Sequence, residues 1–362
     1  NIYSHARRPA ATDAATWERW LTEFGPQAVQ IRLTGGEPTL HPEFFRILAA
    51  ATAYGAQVTV FTNGRWPAPQ MLVQRLRGWP QLSGLLISLH GARPESHEMF
   101  SRVAGSFAET VANIRLAIAE GIPVALSTII TRSNWQELEA VAELGQRLGV
   151  QHVAFNRYLG APDDDLEPTQ AQMRHAVRTI ETMISAGVAV KYGIGIPQCF
   201  RRNRSEGCLA GVAYVAVDPW GRVHPCAHSP SFIGSLHETS LQELWRSPAM
   251  AAWRALMPVE CTGCAAYAAC HGGCRAVQEL RVDRRDPLRR APLASYRAKA
   301  TWRELPAAGH PRLTARLREE AFGYAVLGRG QVVPVRADAL PVIAACDGSI
   351  TCAELASRFG QA

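Results

Sequence analysis

The chain has 362 residues, 47% hydrophobic and 19% charged, with a formal net charge of +7 and a pI near 9.1. That length supports more than one domain with its own core. The positive charge is almost all arginine, spread along the chain without interleaved aromatics, which argues against nucleic-acid binding. No run of about 18 apolar residues is present to form a membrane-spanning helix, so a soluble, reduced, cytoplasmic protein is expected.

From the N-terminus, Ile31-Arg32-Leu33-Thr34-Gly35-Gly36-Glu37-Pro38 is an apolar run ending in two glycines and a carboxylate. This is the pattern of a parallel strand whose C-terminal end carries a ligand site. Glycines let backbone approach a ligand, and Glu37 can accept hydrogen bonds from an ammonium group. Further short apolar runs follow at Val58–Phe61, Leu85–Ile87, Val124–Ile130 and Val153–Phe155, each separated by an amphipathic segment of helical length. Gly55, Gly121 and Gly149 each follow a helical segment and precede a strand, as helix-terminating glycines do. The pattern predicts a parallel β/α fold. Its strand ends gather Glu37, Thr62 and Asn63, Ser88, Thr128 and Arg157. His90 and His97 lie beside them and are read as hydrogen-bonding groups rather than metal ligands.

The cysteines come later. Cys199 is followed by Cys208-x12-Gly221-x4-Cys226 and then by Cys261-x2-Cys264-x5-Cys270-x3-Cys274. Thiols this densely spaced read as ligands, and the small residues Gly263, Ala265, Ala266, Gly272 and Gly273 allow the backbone to wrap around a metal group. A zinc ribbon would want two separated C-x2-C knuckles, and only one occurs; disulfides remain the third possibility. His224 and His228 flank Cys226 and read as donors to sulfur.

Arg281 to Arg303 is rich in arginine and proline and reads as a linker or solvated turn. Beyond it, Glu319 to Val326 and Gln331 to Val335 read as a two-stranded ribbon turning through Gly328 and Gly330. Two short helices follow, the second capped by Ser349 or Thr351.

Gly35-Gly36-Glu37-Pro38, together with the ordered strand ends and the cysteine segment behind them, resembles the radical S-adenosylmethionine (SAM) enzymes. The cysteine segment and the Ser240–Trp245 helix resemble the SPASM auxiliary-cluster extension of peptide-modifying members. The last segment resembles the small winged-helix (PqqD-like) domain that captures leader peptides. The resemblance implies a partial (β/α)6 TIM-like barrel in residues 1–190, with one strand upstream of Asn1. It also implies an α+β auxiliary-cluster domain in 191–290, a linker in 291–312 and an incomplete winged helix in 313–362.

For the site, the resemblance implies that Gly35, Gly36, Glu37 and Pro38 hold the methionine end of SAM, with Thr62, Asn63, Ser88, Thr128 and Arg157 around it. Cys199, Cys208, Cys226 and Cys274 would hold a first auxiliary 4Fe-4S cluster, and Cys261, Cys264 and Cys270 a second. This chain departs from the family twice. No cysteine precedes Cys199, so the catalytic C-x3-C-x2-C is expected upstream of Asn1, with true loss as the rival. Arg289 stands where members often carry the last cysteine, leaving the fourth position to His271, Asp283, Asp286 or substrate.

The implied function is a radical SAM peptide maturase. It would cleave SAM reductively to a 5'-deoxyadenosyl radical that abstracts hydrogen from a ribosomally made precursor peptide. Its partners would be that peptide, held by its leader, and a reductant such as flavodoxin or ferredoxin. A radical SAM enzyme of small molecules or tetrapyrroles, and a non-catalytic iron-sulfur scaffold, are the alternatives.

Overall fold

The structure is a computed structural model that describes residues 12–160, 165–193, 195–201, 207–256, 258–295, 306–320, 323–328, 331–335 and 337–360. The expected start at Asn1, the Gly330 turn position and residues 296–305 of the expected linker lie outside them.

Six strands form one parallel sheet in simple sequence order: β1 (Gln30–Leu33), β2 (Gln57–Thr62), β3 (Leu82–Ser88), β4 (Val124–Ile130), β5 (Val153–Arg157) and β6 (Val190–Tyr192). Helices alternate with them: α1 (Ala14–Phe24), α2 (Phe44–Thr52), α3 (Pro69–Leu76), α4 (Pro94–Ser101), α5 (Ser106–Ala119), α6 (Leu138–Leu148) and α7 (Gln170–Ser185). This is the α/β partial barrel expected. The sequence pattern yields only five of these strands, because β6 is three residues long with Lys191 at its centre. The described sheet runs to Tyr192.

Alternation along β2 sets its two faces. Val58, Val60 and Thr62 are buried toward the helices, whereas Gln57, Thr59 and Phe61 are half-buried on the concave side. The convex face makes the main core with Leu48, Val60, Ile87, Ile114, Leu126, Phe155 and Ile180. Each such side chain contributes about 1.5–3 kcal/mol by leaving water. Burial, and then the Arg32 guanidinium, lower the Lys191 ammonium. Strands β1 and β6, the two ends of the sheet, are thus within electrostatic reach across the barrel's open side.

The cysteine segment opens with a small antiparallel sheet of β7 (Ala216–Val217), β8 (Arg222–His224) and β9 (Gly234–Ser235). Gly221, in the β7–β8 turn, has φ +76°, and a Cβ there would lie 2.8 Å from the Trp20 ring of α1. The glycine of the cysteine motif is thus a docking point between the two halves. Then come α8 (Leu241–Arg246), α9 (Pro248–Arg254), α10 (Tyr267–Cys270) and α11 (Arg275–Leu280). Ser240 caps α8 in a reciprocal box with Glu243.

The last segment has three strands rather than two. The run from Glu319 to Val326 divides into β10 (Arg316–Glu320) and β11 (Gly323–Gly328), with β12 (Gln331–Val335) as the opposite edge. The charged sequence of β10 hides it from a hydrophobicity pattern. Glu320 accepts from Trp245 Nε1 at 2.7 Å, so the sheet meets the cysteine domain through β10. Helices α12 (Leu340–Ala344) and α13 (Cys352–Phe359) follow, and Thr351 caps α13 as one of the two expected candidates.

The arginine-rich stretch is not a solvated linker in its described part. Arg281 pairs with Glu167, Arg285 and Arg289 pair with Glu260, and Leu288 is buried in the main core. Residues 281–293 form a strap over the cysteine segment, held by these ion pairs and by the Arg290 and Leu293 amides on the Cys199 and Cys264 sulfurs.

Candidate functional site

The end of β1 and the end of β2 meet at one carboxylate. Glu37 Oε1 accepts from Thr39 N at 3.2 Å, Thr39 Oγ1 at 2.6 Å and Thr62 Oγ1 at 2.8 Å, while among the described residues Oε2 accepts only from Asn63 N at 2.7 Å. One oxygen is saturated and the other keeps a free lone pair, so the group can receive an ammonium without losing its orientation. A Cβ built on Gly35 or Gly36 would meet nothing within 4 Å. These glycines border open space left for a ligand rather than a crowded protein contact. Pro38 starts the short 3-10 turn that Glu37 caps.

Thr62 is buried, and besides donating to Glu37 its hydroxyl accepts from Gly64 N at 3.1 Å and Trp66 Nε1 at 2.9 Å. It positions Glu37 and does not face a ligand. Asn63 is half-buried at the rim, with its Oδ1 accepting from Arg65 N at 2.7 Å. Ser88, at the end of β3, is half-buried, and among the described residues its hydroxyl has no hydrogen-bond partner.

Two expected pocket residues go elsewhere. Thr128 is fully buried and donates to Leu89 O at 2.6 Å, on the convex side of the sheet. Arg157 makes a bidentate pair with Asp286 at 2.8 and 3.0 Å, both side chains buried. Neither is free to meet SAM. The same pair removes Asp286 as an iron ligand, since its oxygens also accept from Cys274 N and Leu288 N. His90 and His97 are buried, with His90 Nδ1 accepting from Ile129 N and His97 Nδ1 from His90 N. They brace the strand ends, as expected.

The cysteines form two groups, and Cys199 changes sides. One cavity is lined by Cys199, Cys261, Cys264 and Cys270, with Arg289 and Arg290 on its wall. Backbone amides point at its sulfurs: Gln198 N to Cys270, Arg290 N to Cys199 and Leu293 N to Cys264, at 3.2–3.4 Å. The other group is Cys208, Cys226 and Cys274, with Cys208 in electrostatic contact with both others. There His228 N donates to Cys226 at 3.4 Å, whereas His224 turns to Asp218 and to the carbonyls of Ser229 and Ser231. Of the two flanking histidines, His228 serves sulfur. His271 is tied to Cys208 O at 2.8 Å.

Burial pushes the Cys274 thiol up to about 12 and Cys261 to about 11. Such thiols become thiolates only where a metal takes up their charge. Among the described residues no three His, Cys, Asp or Glu side chains converge on a single ion. Four thiols line one cavity, the number that a 4Fe-4S cluster held by cysteines takes. Arg289 Nε and Arg290 Nη2 are buried without a hydrogen-bond partner beside the four-cysteine cavity, and unpaired cationic donors suit a net-negative cluster.

The radical SAM superfamily model matches residues 3–145, and the SPASM iron-sulfur cluster-binding domain matches residues 208–274. The chain carries a radical SAM domain followed by a SPASM domain. Radical SAM/SPASM proteins are enzymes of radical chemistry, and SAM and 4Fe-4S clusters are the cofactors that go with these domains. The chain is 27% identical to the PqqA peptide cyclase of Gluconobacter oxydans over 74% of its own length and 78% of that protein's. It is 27% identical to the AdoMet-dependent heme synthase of Methanosarcina barkeri over 59% and 67%. Streptococcus suis SuiB bound to S-adenosylmethionine has the same fold, with a TM-score of 0.65 at 15% identity over 78% and 72%. The radical SAM match contains Glu37, Thr62, Asn63 and Ser88, and the SPASM match contains every cysteine of the two groups except Cys199. No helix among the described residues is long and apolar enough to cross a membrane.

Proposed function

We propose that this radical SAM/SPASM enzyme modifies a ribosomally synthesised precursor peptide. The observation that carries the reading is the match to the PqqA peptide cyclase, which at 74% of this chain extends well beyond the barrel. SuiB, of the same fold, has been seen bound to its precursor peptide SuiA. The shorter match to the heme synthase favours a tetrapyrrole substrate as the second reading.

In this reading the barrel comprises residues 1–190 with β6 added, the cluster domain 191–290, and a peptide-recognition domain 313–362 after a linker. Edge strand β12 would take the leader as an added strand, since it has no strand partner on its outer side among the described residues. A small reductant protein of flavodoxin or ferredoxin type would deliver electrons.

Gly35 and Gly36 leave room for the methionine end of SAM, Glu37 Oε2 receives its ammonium, and Asn63 and Ser88 line the rim. A reduced cluster with SAM bound would supply the 5'-deoxyadenosyl radical chemistry of such reactions. Thr62 would keep Glu37 fixed. Cys208, Cys226, Cys261, Cys264, Cys270, Cys274 and Cys199 hold auxiliary clusters.

The test is 5'-deoxyadenosine formation by the full-length, anaerobically reconstituted protein with SAM and a strong reductant, with and without a precursor peptide. Acceleration by peptide supports the reading. Acceleration by a tetrapyrrole instead moves the protein to the second one. No product from iron-loaded protein would leave only a cluster-bearing scaffold.

A further inference from the structure

The two cysteine groups are unequal in a way that inverts the family expectation of where iron is left open. Arg289 occupies the position at which a last cysteine is expected, and as a permanent cation it cannot ligate iron. The cavity it lines is nevertheless bordered by four cysteines, because Cys199 enters from the upstream side. The Cys199 thiol is in electrostatic contact with Cys270 and Cys264, and the Cys261 thiol with Cys270, Cys264 and Cys199. Cys199 also takes the Arg290 amide at 3.2 Å, so the strap that brings Arg289 in also secures the substitute ligand. Arg289 is 6% exposed, and its Nε is left without a protein partner beside that cavity.

The other group has three thiols. A tyrosine stands beside it: the Tyr214 hydroxyl lies within interaction range of the sulfurs of both Cys226 and Cys208. Its ring is 6.0 Å from the Arg32 guanidinium, which also lies 5.9 Å from the Phe61 ring of β2. Arg32 and Phe61 belong to β1 and β2, so Tyr214 stands between the three thiols and the barrel.

We propose that Cys199 is the fourth thiolate of the Cys261, Cys264 and Cys270 cluster, and that the Cys208, Cys226 and Cys274 cluster keeps the open iron, covered by the Tyr214 hydroxyl. The open iron would take an anionic or soft ligand of the substrate, such as a thiolate, entering from the barrel side. Tyr214 is a positioning residue that must yield for the ligand to bind. The inference rests on the reading of these cysteines as cluster ligands.

The experiment counts iron and acid-labile sulfide in reconstituted protein carrying C199A, C264A, C226A and their pairs. C199A and C264A should each remove the same cluster, about half of the auxiliary iron. The C199A/C264A pair should therefore lose no more than C264A alone, while C199A/C226A loses more than either. The opposite pattern of additivity would return Cys199 to the first group and overturn the proposal. Absence of auxiliary iron in the unaltered protein would instead remove the cluster reading beneath it.

A second measurement needs no ligand removed from the protein probed. With excess SAM present, cyanide added to the reduced unaltered protein should shift only the paramagnetic signal that is missing in C226A. A shift in the signal missing in C264A would place the open iron in the wrong group for this proposal. Tyr214→Phe should keep full iron content and bind cyanide more tightly; unchanged affinity would remove Tyr214 from the open corner.

Discussion

Arg157 and Asp286, 129 residues apart in sequence, form a bidentate ion pair at 2.8 and 3.0 Å with side chains 4% and 0% exposed. Arg157 ends the fifth strand of the barrel, and Asp286 lies in the strap beyond Cys274, whose amide it also accepts. The pair therefore joins the SAM-binding half to the cluster half. Breaking it from one side leaves a buried charge, which costs about 3–5 kcal/mol. Arg157→Met and Asp286→Leu are each expected to lower the anaerobic unfolding midpoint strongly, and the double variant should recover most of the loss. SAM affinity of the double variant should stay near that of the unaltered protein. A large loss of SAM binding there would mean that Arg157 reaches the cofactor after all.

Glu37→Gln tests the pocket itself. The change keeps the shape but replaces a carboxylate by a neutral amide opposite an ammonium, and a hydrogen bond to a charged group contributes about 1.5–3 kcal/mol. SAM should bind roughly ten- to a hundred-fold more weakly by equilibrium dialysis. Thr62→Val should act differently. It strips Glu37, Gly64 N and Trp66 Nε1 of a shared partner, so it should lower stability as well as affinity. Equal stability losses in the two variants would contradict this division of roles.

The pocket was legible because parallel strands place their C-terminal residues side by side. Glu37, Thr62 and Asn63 come from neighbouring strands β1 and β2, so reading the strands was enough to bring them together. Arg157 was misread for the converse reason: its partner lies on a strap that no local pattern connects to a strand end. The resemblance groups Cys199 with Cys208, Cys226 and Cys274, whereas it lines the cavity of Cys261, Cys264 and Cys270, because order along the chain does not report which side of a cavity a loop enters. Thr128 failed on parity, one residue away from the concave face that carries Ser127. Strand β10 was invisible because all but one of its five residues are charged.

Gly64 follows the pocket's Asn63 with φ +72°, and a Cβ there would lie 2.7 Å from Ile87 Cγ2 and 3.2 Å from Thr110 Cγ2. Both the conformation and the space require glycine. Gly64→Ala should destabilise by more than about 1 kcal/mol and also weaken SAM binding, since the Asn63 amide on Glu37 would shift. Gly55→Ala is the control. It too has a positive φ, +80°, but meets nothing within 4 Å and lies far from Glu37, so it should lose stability without losing SAM affinity. Equal affinity losses would contradict this account.

The acid limb of stability should trace to His90. Burial, followed by the neighbouring His97, pushes its imidazole down to about 3, and burial lowers His97 as well. In the unfolded chain both titrate near 6.5, so below that pH the unfolded state binds more protons than the folded one. Stability from this source is complete above the unfolded value and is lost as pH falls from about 6.5 toward 3, by at most about 1.4 kcal/mol per unit for His90. His90→Gln keeps an acceptor for the Ile129 amide but cannot take a proton. Denaturant unfolding between pH 5 and 7.5 should therefore show a shallower fall with acid in the variant. An unchanged slope would mean that the buried imidazole becomes protonated without unfolding, and that the strand ends around the SAM pocket are wetter than this packing describes.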